Sequence, residues 1–181
     1  PYLEPAMLTA MKRQKFTAGK AVAAGCFSGK FDFLGDFAID ATDEKMMAQA
    51  DLFLQQQAPL IIPPGRHGYL LIDLEDYHNF YYLTVKGSGK VAVELAEALF
   101  DSEEGGKQNR FAVKGQYWRQ PHGDLFIAAP SANSAMPVYP RCGRYLVLRY
   151  LSLDQPLAIE KIACFEHGYP LDFTAQFAAA P

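Results

Sequence analysis

Residues 68–99 read GYLLIDLEDYHNFYYLTVKGSGKVAVELAEAL, and this stretch decides the fold class. Three short apolar runs follow one another, at 70–74, 80–85 and 91–95. Between the last two lies Lys86-Gly87-Ser88-Gly89-Lys90, a polar segment with two glycines. Two β-rich runs joined by a short glycine-containing loop predict a hairpin. In Val91-Ala92-Val93-Glu94-Leu95 the larger apolar residues alternate with smaller or polar ones, the period of a half-buried strand.

Working outward, short strands recur on both sides. Phe31-Asp32-Phe33 and Phe37-Ala38-Ile39 read as strands split by Gly35, and Phe111-Ala112-Val113, Tyr117-Trp118-Arg119 and 125–129 as further ones. The run Tyr145-Leu146-Val147-Leu148-Arg149-Tyr150-Leu151 reads as a strand buried on both faces apart from Arg149. Asp154-Gln155-Pro156 is read as a turn, and 157–165 as the last strand. One helix interrupts the pattern at 43–57. Asp43 or Thr42 can cap it, and Met46, Met47, Ala50, Phe53 and Leu54 form its apolar stripe, with Pro59 beyond its end. Residues 6–15 suit either a short helix or an extended lead-in. The expected fold is an all-β antiparallel β-sandwich of the jelly-roll or concanavalin-like type with one short amphipathic helix.

Composition agrees with a packed domain. The chain has 181 residues, 50% hydrophobic and 13% aromatic, enough for a sizeable core. A net charge of -3 advertises no basic face, so a nucleic-acid partner is not expected. No apolar run approaches the ~20 residues of a spanning helix, so no membrane partner is expected either. Cys26, Cys142 and Cys164 are too few and scattered for a disulfide framework, and the apolar surroundings of Cys142 and Cys164 predict buried free thiols. The chain opens on Pro1 without an initiator Met and closes on Ala-Ala-Ala-Pro, which suggests a piece of a longer polypeptide.

Several segments, in order, resemble the β-sandwich region that precedes the catalytic domain in bacterial α-L-rhamnosidases, the family 78 glycoside hydrolases. They are Leu71-Ile72-Asp73-Leu74, the Tyr-rich strand and glycines of 80–89, 91–99, Gly143-Arg144-Tyr145-Leu146-Val147-Leu148, and 159–170 ending Gly168-Tyr169-Pro170. Glu75 and Ala96 stand where that pattern has Gly. The resemblance spans about residues 68–170. Residues 1–60, with the helix, match nothing in that family and are read as a lead-in packed on the sandwich; the resemblance implies an accessory β-sandwich over 61–170 and a linker over 171–181 toward a catalytic (α/α)6 domain. It also implies that the hydrolytic acids lie outside this chain, so no catalytic residue is assigned here. Rhamnose-containing oligosaccharides are the implied ligands, and Arg144 is the implied partner of Glu97.

The residues themselves offer limited chemistry. Glu94 and Glu97 are near neighbours, and Asp73, Glu75 and Asp76 cluster, but carboxylates at strand ends are mostly solvated. His67, His78, His122 and His167 show no zinc spacing. Asp101, Glu103, Glu104 and Asn109 could offer oxygens to Ca2+, without the spacing of a known calcium loop, and no cofactor is expected. Sugar sites stack rings on aromatic faces and hydrogen-bond hydroxyls. The single Trp, Trp118, with Tyr117 and Arg119 beside it, and Asp101 and Asn109, make the candidate carbohydrate-binding set. For Trp118 two readings stand side by side, a sugar platform or a packed ring. Tyr81 or Tyr82 is read as packed in the core or against a neighbouring domain. Two rival functions remain, a free-standing carbohydrate-binding module and a small self-contained glycosidase.

Overall fold

A computed structural model describes residues 12–16, 19–27, 31–39, 43–78, 80–108, 116–138 and 140–168. The expected strand at 111–113, the lead-in at 6–11, Asn109 and the linker at 171–181 lie outside the described residues.

Two strands dominate. β6 (Phe80–Ala96) and β10 (Gly143–Gly168) pair antiparallel along almost their full lengths, from Phe165 opposite Phe80 to Tyr145 opposite Ala96. The register shifts between Ser152 and Leu157, opposite Gly89 and Gly87, and divides the ribbon into two halves. One half carries β5 (His67–His78), β2 (Lys20–Gly25) and β8 (His122–Ile127). The other carries β1 (Lys12–Phe16), β4 (Leu60–Ile62) and β9 (Asn133–Ala135). A separate two-stranded pair joins β3 (Phe37–Ala38) to β7 (Tyr117–Trp118). The result is a mostly antiparallel β-sandwich with one helix, the fold class the sequence predicts.

The expected hairpin is not there. Lys86-Gly87-Ser88-Gly89-Lys90 lies inside β6, and the strand continues through it. Residues 154–156 likewise lie inside β10 rather than ending a strand. The glycines serve the bend, not a reversal. At Gly87 φ is +114°, and a Cβ would lie 2.0 Å from the Pro156 carbonyl oxygen, so only glycine lets the two backbones approach there. The expected strand at 31–33 is a turn, with Leu34 at φ +62°.

The main core lies between the two halves of the ribbon. Leu70, Ile72, Val91, Val93, Leu146 and Leu148 from one half meet Leu60, Ile62, Leu83, Val85, Leu157 and Ile159 from the other. Each such side chain stabilises the fold by ~1.5–3 kcal/mol relative to exposure. The helix α1 (Glu44–Leu54) adds Met46, Ala50, Phe53 and Leu54 to this core, with Met47 partly buried beside them. Asp43 caps it, its carboxylate accepting from the Met46 amide at 3.0 Å. The helix thus starts where expected and ends three residues early, with Gln56 left-handed at φ +59° just beyond.

The opposite face of the β5–β10–β6 half is also covered. Tyr69, Leu71, Tyr145 and Val147 pack there against Leu99, Trp118 and the side chains of Phe27, Phe37 and Ile39. Burial on both faces is why β5 and β10 read as continuous apolar runs at 70–72 and 145–148, whereas 91–95 of β6, whose alternation predicted a half-buried strand, is in fact buried on both faces.

Candidate functional site

The second core holds a charged centre. Glu94 on β6 is fully buried and Arg149 on β10 is 1% exposed, with Arg149 Nε 2.7 Å from Glu94 Oε1. Strand alternation dictates this placement. Glu94 points away from Val93 and Leu95, and Arg149 away from Leu148 and Tyr150, so both enter the second core. Trp118 Nε1 donates to Glu94 Oε2 at 2.8 Å, and the Leu34 amide donates to Oε1 at 3.2 Å. Arg149 in turn donates to the carbonyls of Asp32, at 2.8 Å, and Gly35. Its guanidinium lies against the edge-to-face pair of Phe27 and Phe37, 5.1 and 4.6 Å from their ring centroids. Burial pushes the Glu94 carboxyl above the ordinary glutamate range, against the pull of Arg149 and the Trp118 and Leu34 bonds. The centre ties β6, β7, β10 and the 32–35 turn into one unit. Arg149, read in the sequence as the exception to a buried strand, is buried because Glu94 neutralises it.

Two further arginine–carboxylate pairs join the start of β10 and the segment just before it to Asp73 on β5 and Asp124 on β8. Arg144 binds Asp73 with two bonds of 2.8 Å, and Arg141 binds Asp124 with two of 2.9 Å. Asp124 also accepts from the buried Tyr81 hydroxyl at 2.8 Å. The expected pairing of Arg144 with Glu97 is therefore corrected: Arg144 faces Asp73, and Glu97 takes Lys107 at 2.6 Å.

Above the buried centre a cleft of about 250 Å³ opens beside β7 and β8. Its walls are Glu97, Phe100, Lys107, Arg119, Gln120 and His122, with Ala96, Ala98 and Cys142 completing it. Arg119 is held from three sides. Its guanidinium lies 4.7 Å from the Phe100 ring centroid, Nη1 donates to the Gly105 carbonyl at 3.3 Å, and Nε is 3.5 Å from Asp36. Asp36 also accepts from the Gln120 amide at 3.2 Å, where Gln120 is left-handed at φ +52°. Asp36 follows directly on the 32–35 turn held by Arg149, so the cleft rim is fixed from below by the Glu94–Arg149 centre.

The candidate set of the sequence is thus divided. Arg119 lines the cleft. Tyr117 is half-buried on β7 next to it. Trp118 is fully buried, packed with Phe37 at a centroid distance of 6.4 Å, so its ring face is closed to a ligand and the packed reading is the one observed. Alternation along β7 turns it inward, and Glu94 takes its polar edge. Asp101 is exposed in the 101–106 loop, and Asn109 lies outside the described residues. Among the described residues no three His, Cys, Asp or Glu side chains converge as metal ligands. Cys164 is buried as expected, with its thiol pushed up to about 12 by burial, but Cys142 is exposed because its residue lies in the segment entering β10, at the cleft. Glu94 and Arg149 are the residues sequence reasoning missed as a unit; the signal was two charges at core-facing positions of opposite strands.

Comparison with known proteins gives similarities of shape. No family model matches the chain, and no curated protein matches it. Among solved structures it is similar to a family 78 glycoside-hydrolase rhamnosidase of Bacillus sp. GL1, at 19% identity and TM-score 0.45, over 63% of this chain and 11% of that one. It is similar to a rhamnosidase from Klebsiella oxytoca with rhamnose bound, at 14% identity and TM-score 0.46, over 87% of this chain and 29% of the other. It is also similar to a truncated AlyQ with CBM32 and alginate lyase domains, at 11% identity and TM-score 0.42, over 92% and 36%. The chain spans between 11% and 36% of the length of these neighbours, and at these scores they assign no function.

Proposed function

We propose that this chain is a non-catalytic β-sandwich domain of an α-L-rhamnosidase-like glycoside hydrolase, bracing the catalytic domain of its parent. Two lines support the reading. The five ordered sequence segments carry the family resemblance. The observation that carries the non-catalytic part is the state of Glu94. Glycoside hydrolysis needs a carboxylic acid of raised pKa facing substrate, with a second carboxylate ~5–9.5 Å away. Glu94 has the raised pKa, but it is fully buried and bound to Arg149, Trp118 and Leu34. Glu97, at the open cleft, is bound to Lys107. Glu94 is thus committed to the core, and Glu97 has a cation rather than a second carboxylate as its partner.

The test is hydrolysis of an aryl α-L-rhamnoside by the purified chain. The expected result is release of the aryl alcohol at the uncatalysed rate. Turnover that is abolished by Glu97→Gln would overturn the reading in favour of a small self-contained glycosidase. The alternative of a carbohydrate-binding module is favoured by one observation, the cleft at Arg119.

A further inference from the structure

We infer that the cleft at Arg119 is a binding site for a single neutral sugar unit, and that the Glu94–Arg149 centre is its positioning device. The inference rests on the carbohydrate-related reading above and names the site and the ligand class.

Size sets the first limit. Ligand pockets for drug-sized molecules run ~300–1,000 Å³, so 250 Å³ admits one ring rather than an oligosaccharide. Charge sets the second. Lys107 is neutralised by Glu97 at 2.6 Å, and Arg119 faces Asp36 at 3.5 Å. The cleft therefore does not demand an anion. What it offers is charged donors beside a charged acceptor, and hydroxyl groups both donate and accept, with charge-assisted bonds about twice as strong as neutral ones. Gln120 and His122 add polar groups on the same wall.

Pre-organisation is the third element. The Arg119 head is fixed by Phe100, Gly105 and Asp36 before any ligand arrives, so less side-chain entropy is lost on binding. Asp36 is fixed in turn because Arg149 holds the carbonyls of Asp32 and Gly35, and Glu94 holds the Leu34 amide on one side and Trp118, the residue before Arg119, on the other. Glu94 touches no ligand. It sets the two walls against each other.

The single tryptophan makes the test direct. Trp118 fluorescence and calorimetry would be followed while the chain is titrated with L-rhamnose, D-glucose, D-galactose and D-mannose to high millimolar concentration, and with D-glucuronate. At least one neutral sugar should bind saturably. Lys107→Ala, an exposed change that leaves the core intact, and Arg119→Ala should each weaken it roughly tenfold or more. Lys86→Ala, remote on the ribbon bend, should leave it unchanged. Glu94→Gln, checked for folding by its melting curve, should weaken binding without touching the ligand, and Glu94→Asp should restore less than the parent affinity. No saturable binding by any neutral sugar, binding indifferent to Lys107→Ala and Arg119→Ala, or a preference for D-glucuronate would each overturn the proposal. Failure here leaves the non-catalytic reading standing, which only hydrolysis by the chain overturns.

Discussion

Replacing Glu94 by Ala should be among the most damaging single changes in this protein. It removes the carboxylate facing Arg149, Trp118 Nε1 and the Leu34 amide at 2.7, 2.8 and 3.2 Å. What remains is a guanidinium at 1% exposure with no counter-charge, and an indole N–H with no acceptor. Stranding one member of a buried pair costs ~3–5 kcal/mol, and an orphaned buried donor ~1–3 more. These terms overlap, so a net loss of roughly 4–6 kcal/mol is expected, against a total stability of ~5–15 for a domain. For a chain of this size that lowers the melting temperature by roughly 10–20 °C. Glu94→Gln keeps an acceptor for the indole and should lose about half as much. Because burial already strains the Glu94 charge, the pair contributes less than its breakage costs. The double variant Glu94→Leu with Arg149→Met should therefore be more stable than Glu94→Ala alone. Urea unfolding followed by Trp118 fluorescence reads these proteins together with the single variants Glu94→Leu and Arg149→Met. A loss under ~1 kcal/mol for Glu94→Ala, or a double variant that costs the sum of the single changes, would refute the reasoning.

Three other outcomes are expected. Gly87→Ala forces a Cβ to 2.0 Å from the Pro156 carbonyl at φ +114°, and should cost at least ~2 kcal/mol in urea unfolding, while Gly106→Ala, in open space, should cost little. Burial works to raise the Asp124 carboxyl, but the bonds from Arg141 and Tyr81 outweigh it and hold it below the ordinary aspartate value of 3.8. Its contribution is thus present above pH ~4 and lost as pH falls through its lower folded pKa, so Asp124→Asn should be less stable at neutral pH and show a flatter acid limb in thermal melts. An aromatic disulfide reagent should modify Cys26 and Cys142 in the folded protein, with Cys164 reacting only in denaturant, where burial no longer suppresses its thiolate.

What the sequence made legible follows from locality. The helix was readable because its stripe and its Asp43 cap lie within one turn of each other. The strands β5 and β10 were readable because burial on both faces left long apolar runs; β6 was readable at 91–95 from its alternation, which understated its burial. The segment 86–90 misled because glycines among polar residues signal a turn, whereas here they answer a backbone some 65 residues further on, at 151–157. Trp118 sits among glutamines and an arginine, which suggested exposure, yet its burial is decided by Glu94 on a different strand. Arg119, a candidate in the sequence, lines the cleft; the glycine carbonyl, ring and carboxylate that hold it come from three other segments and left no mark beside it. Pairings of charges across strands, such as Arg144 with Asp73, are set by register, which no local pattern encodes.

The position of β10 bears on how the molecule is made. It lies between β5 and β6 in one half and between β6 and both β1 and β4 in the other, yet it is the last of the described strands to leave the ribosome. Before residue 143 emerges, β2 can pair with β5, and β8 and β9 with β6, but among the described residues no strand pairing links β5 to β6 without β10. The nascent chain must therefore carry open edges on β5 and β6 until β10 emerges to close both. Translation stalled just before β10 would leave an aggregation-prone chain, not a smaller version of the domain.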